Sequence, residues 1–157
     1  MNNIILTRID NRLVHGQVGV TWTKNLNANL VIVANDEVAE DKIQQKLMTV
    51  IVKSQGFDIR FFSLEKTAAI IDKAAPSQKI FLVCKNPQDV KTLVDKGVEI
   101  KDLNIGNMHQ SEGKKQISTK VYADDCEIDC LNYLSNKGIN IFIQDVPGKL
   151  KTQYQVI

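Results

Sequence analysis

Between Thr7 and Gln17 the chain reads Thr-Arg-Ile-Asp-Asn-Arg-Leu-Val-His-Gly-Gln, which sets Arg8, Asp10, Arg12 and His15 close together ahead of Gly16. A histidine in such company can bind a metal, shuttle protons, or attack phosphorus as a nucleophile. A metal needs more ligands, and the only other histidine is His109. No metal and no cofactor is expected. Proton shuttling leaves both arginines without a role. Phosphorus uses every group. A neutral imidazole nitrogen attacks a phosphoryl group, and Arg8 and Arg12 neutralise its oxygens through planar, forked guanidinium groups. Backbone N–H groups around Gly16 and Gln17 supply further donors where a helix begins, and Asp10 orients the imidazole or an arginine. The plainer alternative, a turn-capping histidine beside two solvated arginines, stays open on spacing alone.

The elements that must hold this loop are legible as alternating short apolar runs and longer amphipathic ones. Ile4–Leu6, Leu30–Ala34, Ile59–Phe62, Ile80–Cys84, Leu103–Ile105 and Ile141–Ile143 read as strands, several of them apolar at consecutive positions, as in a sheet covered on both faces. Val18, Trp22 and Leu26 suit a helix. So do Ile43, Leu47, Val50 and Ile51; Leu64, Ala68, Ile71 and Ala75; Val90, Leu93 and Val94; and Ile128, Leu131 and Leu134. The pattern predicts one α/β domain over residues 1–157, an open, mainly parallel, twisted sheet of six to seven strands with helices on both faces. In such sheets ligands bind beyond the carboxyl ends of the strands. The segments 7–17, 35–37, 85–87, 106–113 and 144–148 should therefore share one rim.

Composition narrows the partners. The 157 residues carry 20 basic and 18 acidic side chains, a net charge of +2. That is too even for an obligate nucleic-acid binder. No apolar run approaches the roughly 18 residues of a membrane span, and Met1-Asn2-Asn3 lacks a basic leader, so a cytoplasmic address is expected. Three cysteines make a poor disulfide framework; Cys84, Cys126 and Cys130 read as buried small apolar residues. No Gly-x-Gly-x-x-Gly and no Walker sequence is present, so no nucleotide is expected.

The run from Arg8 to Val18 closely resembles the phosphorylation-site loop of the IIB components of the bacterial phosphoenolpyruvate-dependent sugar phosphotransferase system, in the mannose/fructose/sorbose family. Val33-Ala34-Asn35-Asp36, Leu82-Val83-Cys84-Lys85 and Asn104-Ile105-Gly106-Asn107-Met108 extend the resemblance over nearly the whole chain. It implies a phosphocarrier that takes a phosphoryl group from a IIA phosphohistidine and passes it to a sugar imported by the membrane components IIC and IID. The carrier would associate peripherally with the inner face of the membrane through them. The site carried over is His15, through Nδ1, with Arg8 and Arg12 as phosphate stabilisers, Asp10 in support, and the backbone of Gly16 and Gln17. Asn35, Asp36, Gly106 and His109 are secondary candidates, His109 being a departure from the usual loop. Val33 to Asp36 with Asn107-Met108-His109 resemble the N-acetylgalactosamine/galactosamine branch most, with mannose, fructose and sorbose as the other sugars. A homodimer is compatible with this reading. Two other classes stay open, a non-catalytic regulatory module of the same fold and a phosphohistidine hydrolase or mutase.

Overall fold

In the computed structural model, which describes residues 2–157, the first strand lies at the middle of the sheet. Strand β1 (Ile4–Asp10) is flanked by β4 (Ile80–Cys84) on one side and β5 (Asp102–Asn107) on the other. With β2 (Leu30–Ala34), β3 (Asp58–Phe62), β8 (Asn140–Ile143) and β9 (Thr152–Gln153) the order is β3-β2-β4-β1-β5-β8-β9. All pairings are parallel except β8 with β9. The seven-stranded, mainly parallel sheet with helices on both faces is the expected architecture. Strands β2 and β4 are buried at all five positions, which is why both read as unbroken apolar runs.

Helices α1 (Val18–Asn25), α2 (Asp36–Ala39) and α3 (Lys42–Lys53) cover one face, packing Trp22, Val38, Met48 and Val52 on Val31, Val33, Phe81 and Val83. Helices α4 (Leu64–Ile70), α5 (Pro87–Asp95) and α6 (Asp125–Asn136) cover the other, packing Leu64, Leu93 and Leu131 on Ile32, Leu82 and Ile105. Their starts follow local chemistry. Asn35, Asp41, Ser63, Asn86 and Asp124 each accept an N–H from the first turn, and Asp124 forms a capping box with Glu127.

One expectation, that all three cysteines are buried, needs correction, and two features were not legible in the sequence. The Ile43, Leu47 and Val50 stripe of α3 faces away from the sheet, 64–77% exposed, while Met48 and Val52 make the buried face. Cys126 is exposed, although Cys84 and Cys130 are buried. A separate antiparallel hairpin, β6 (Lys115–Ser118) and β7 (Val121–Ala123), went unanticipated, as did β9. The hairpin matters for function because Met108 N–H donates to the Lys120 carbonyl and Tyr122 N–H to the Met108 carbonyl, which fastens the segment after β5.

Candidate active site

Strand β1 leads through α1 to β2 on its left, whereas β5 leads through the hairpin and α6 to β8 on its right. Chains thus diverge beyond the carboxyl ends of β1 and β5, the place where open α/β sheets bind ligands. The 7–17 and 106–113 segments meet there.

Arg8 lies on β1 and is 2% exposed. Its Nη1 donates to Asn104 Oδ1 at 2.6 Å and to the Gln144 carbonyl at 3.2 Å, and its Nη2 donates to Asp10 Oδ2 at 3.1 Å. The guanidinium lies 5.4 Å from the Trp22 ring centre, and Trp22 Nε1–H donates to the Asp145 carbonyl. Burial pushes the Arg8 pKa down, against the pull of Asp10. The register makes this possible: Arg8 pairs with Asn104, and β5 slips by one residue between Ile105 and Asn107, so Gly106 passes directly over the guanidinium. A Cβ on Gly106 would stand 2.0 Å from Arg8 Cζ. Gly106 is required for room.

Asp10 is fully buried and divides its carboxylate between two jobs. Oδ2 takes Arg8, and Oδ1 accepts the Arg12 backbone N–H at 2.9 Å. Its carbonyl accepts the Leu13 N–H at 2.8 Å, closing a turn that leaves Leu13 at φ +58°. A leucine tolerates that left-handed backbone at a cost of about 1–2 kcal/mol, offset here by its side chain packing in the α1–α3 core. Leu13 and Val14 thereby anchor the loop from below while His15 stands above.

The His15 ring is 24% exposed, with Nδ1 turned inward, 3.9 Å from Asp10 Oδ2 and without a hydrogen-bond partner among the described residues. Gly16, at φ +48°, turns the chain into α1, and Gln17 places no side-chain cap on the first-turn N–H groups. Arg12 is exposed and lines a groove with His109, Lys120 and Tyr122. The two arginines therefore differ: Arg8 is committed to holding Asp10, whereas the exposed Arg12 side chain has no hydrogen-bond or ion-pair partner among the described residues.

Desolvation lowers the His15 pKa below its ordinary 6.5, Asp10 pulls it up, and Arg12 and Arg8 push it down. A neutral ring, the nucleophilic form, therefore persists below pH 6.5. The unfolded chain takes up this proton first, so His15 costs the fold stability as pH falls from 6.5 toward the lowered value and nothing above it. Arg12→Ala should raise the His15 pKa and Asp10→Asn should lower it, as read from the imidazole resonances in an NMR pH titration. Opposite shifts would contradict the arrangement.

The remaining sequence candidates are placed elsewhere. Asn35 caps α2 and donates to Asp89 Oδ2, and Asp36 accepts the Leu64 N–H; among the described residues neither bonds to the His15 loop. Burial raises the pKa of Asp89. Lys114, just before β6, is paired with Glu127 at 3.0 Å. Among the described residues no cluster of three or more His, Cys, Asp or Glu could hold a metal, and no helix is long and apolar enough to cross a membrane. Reading the sequence missed Asn104, Gln144 and Trp22. Asn104 left one signal, a polar residue inside an apolar strand.

Residues 4–157 match the PTS system sorbose subfamily IIB component. The chain belongs to that family. It is 61% identical over 151 residues to the N-acetylgalactosamine-specific phosphotransferase enzyme IIB component 1 of Escherichia coli (strain K12), covering 96% of each chain. It is 36% identical to the sorbose-specific EIIB component of Klebsiella pneumoniae, over 91% of this chain and 87% of that one. The crystal structure of the N-acetylgalactosamine-specific IIB component 1 from Escherichia coli superposes with a TM-score of 0.95 at 60% identity, covering 98% of this chain and all of that one. As a IIB component the protein is a phosphotransferase and a phosphocarrier in sugar transport.

Proposed function

We propose that His15 is the residue that carries the phosphoryl group, taking it from a phosphohistidine on IIA and giving it to N-acetylgalactosamine or galactosamine delivered by the IIC and IID membrane components. What supports this above all is His15 itself, a partly exposed ring whose pKa burial lowers against the pull of Asp10, at the rim where β1 and β5 diverge. The sugar rests on the likeness to relatives named for N-acetylgalactosamine, at 61% and 50% identity. The IIA partner has support from the mannose-specific EIIAB component of Escherichia coli, 34% identical, of which this chain covers 44%. The protein works at the inner face of the membrane, bound to it only through IIC and IID.

The steps follow from the geometry. An imidazole lone pair attacks phosphorus in line, the P–N bond to His15 forms as the donor's P–N bond breaks, and exchange between two histidines needs positioning and charge more than acid–base machinery. Arg12 and the uncapped first-turn N–H groups of α1 face the phosphoryl oxygens, while Asp10, held by Arg8, fixes the Arg12 backbone. Reaction through Nδ1 asks the ring to turn about Cβ–Cγ, since that atom points toward Asp10. An open rim suits a histidine that must face two macromolecules in turn. Arg12→Lys keeps the charge and loses the fork, so transfer should fall about tenfold or more with an unchanged melting midpoint, as measured by label uptake and thermal unfolding.

The experiment is a reconstituted relay with labelled phosphoenolpyruvate, the general phosphotransferase proteins, IIA, this chain, and membranes carrying the matching IIC and IID. Label should reach N-acetylgalactosamine or galactosamine in preference to mannose, fructose or sorbose. Preference for one of the latter overturns the sugar; phosphate release from small esters without any protein donor favours a hydrolase instead.

A further inference from the structure

Asn11 stands between Asp10 and Arg12, half-buried, and spends three of its hydrogen-bonding groups on three different neighbours. Nδ2 donates to the Lys85 carbonyl at 2.7 Å, Oδ1 accepts the His109 N–H at 2.5 Å, and the backbone N–H donates to the Asn107 carbonyl at 3.0 Å. Lys85 directly follows β4, and Asn107 and His109 close β5 and open its loop. One residue thus ties together the loops of three adjacent strands, β4, β1 and β5. The ties continue outward. The Lys85 N–H donates to Asp89 Oδ2, which also holds Asn35 after β2, and Met108 is fastened to β7 from the other side.

The amide is the group this bridge needs. A carboxylate could accept from His109 but could not donate to a carbonyl, and an ammonium could do only the reverse. Arg12, next in the chain, is then held twice, by Asp10 on its own N–H and by the bonds of Asn11 immediately before it.

We infer that Asn11 is a positioning residue for phosphoryl transfer: it locks the His15 loop to the β4 and β5 loops, so that Arg12 and His109 keep one geometry around the phosphoryl group. The inference rests on the reading of His15 as the phosphorylated residue. Water replaces the lost bonds at a half-buried position, so the fold survives without Asn11 while the loops move independently. Misplacement by about 1 Å can cost about 100-fold in rate.

The test follows phosphoryl uptake from phosphorylated IIA over a range of donor concentrations for the wild type, Asn11→Ala and Asn11→Asp, with amide NMR spectra of each. Asn11→Ala should lower the maximal rate about 10- to 100-fold with little change in the half-saturating donor concentration. The His109 and Arg12 amide signals should shift or broaden while the remaining spectrum persists. Asn11→Asp, which keeps the acceptor for His109, should lose less. A wild-type rate in Asn11→Ala, with label on His15, overturns the inference and leaves His15 in place. Failure of the wild type to take label on His15 overturns the underlying reading instead. Should Asn11→Ala not fold, Asn11→Asp decides alone: a wild-type rate in that variant overturns the inference.

Discussion

His15→Ala is expected to take up no phosphoryl group from phosphorylated IIA and to melt close to the wild type. The two expectations have separate causes. Chemically, no second nucleophile stands in the loop: Asp10 is buried between Arg8 and the Arg12 N–H, and His109 belongs to the β5 loop. Structurally, the removed ring is partly exposed and its buried nitrogen makes no hydrogen bond, while Leu13 and Val14 keep the loop's apolar anchorage. The stability change should stay within about 1 kcal/mol. Retained uptake at a normal rate would move the site away from His15.

Gly106→Ala should damage both fold and transfer, far from any direct contact with His15. A methyl group there meets Arg8 Cζ, Nη1 and Nη2 at 2.0–2.2 Å, and the guanidinium has nowhere to withdraw, being held by Asn104, the Gln144 carbonyl and Asp10 and facing Trp22. Either β5 moves away from β1 or Arg8 leaves its partners. The second course strands Asp10, a fully buried carboxylate, and breaking a buried pair costs about 3–5 kcal/mol. Thermal or urea unfolding should therefore show about 3 kcal/mol lost or more. Transfer should fall with it, because Asp10 would lose its hold on the Arg12 backbone. Arg8→Met alone should reproduce much of the loss, and the double variant should fall well short of the sum of the two, since both changes break one arrangement. Full additivity would show that Gly106 acts by some route other than Arg8.

These two residues illustrate what a sequence shows and what it leaves hidden. The run from Arg8 to Gly16 admits phosphate chemistry by residue type, and its likeness to a family loop singles that chemistry out, but it places both arginines on an equal footing. Separating the buried Arg8 from the exposed Arg12 requires the β1–β5 register, because Asn104 and Gly106 come from a strand about a hundred residues away. Strands β2 and β4 were legible because burial on both faces demands unbroken apolar runs. Helix α3 was legible as a helix, yet its more conspicuous stripe of Ile43, Leu47 and Val50 points outward. Periodicity reports an apolar face without saying which face meets the sheet. Cys126 follows the same logic, since four residues advance a helix by about 40°, enough to leave the buried side that Cys130 keeps. The β6–β7 hairpin has only Ile117 among the four residues of β6 to suggest alternation, and main-chain bonds to Met108 hold it in place. Asn35 and Asp36 drew notice as rim residues, and their chemistry is capping.

The most direct test of the account is the intact mass of the wild-type protein after incubation with phosphoenolpyruvate, the general phosphotransferase proteins and a mannose-family IIA, followed by peptide mapping under alkaline conditions. The account predicts a gain of one phosphoryl group, labile in acid and stable in alkali, on the peptide containing His15. A phosphoryl group on the peptide containing His109, or one stable to acid, would contradict it.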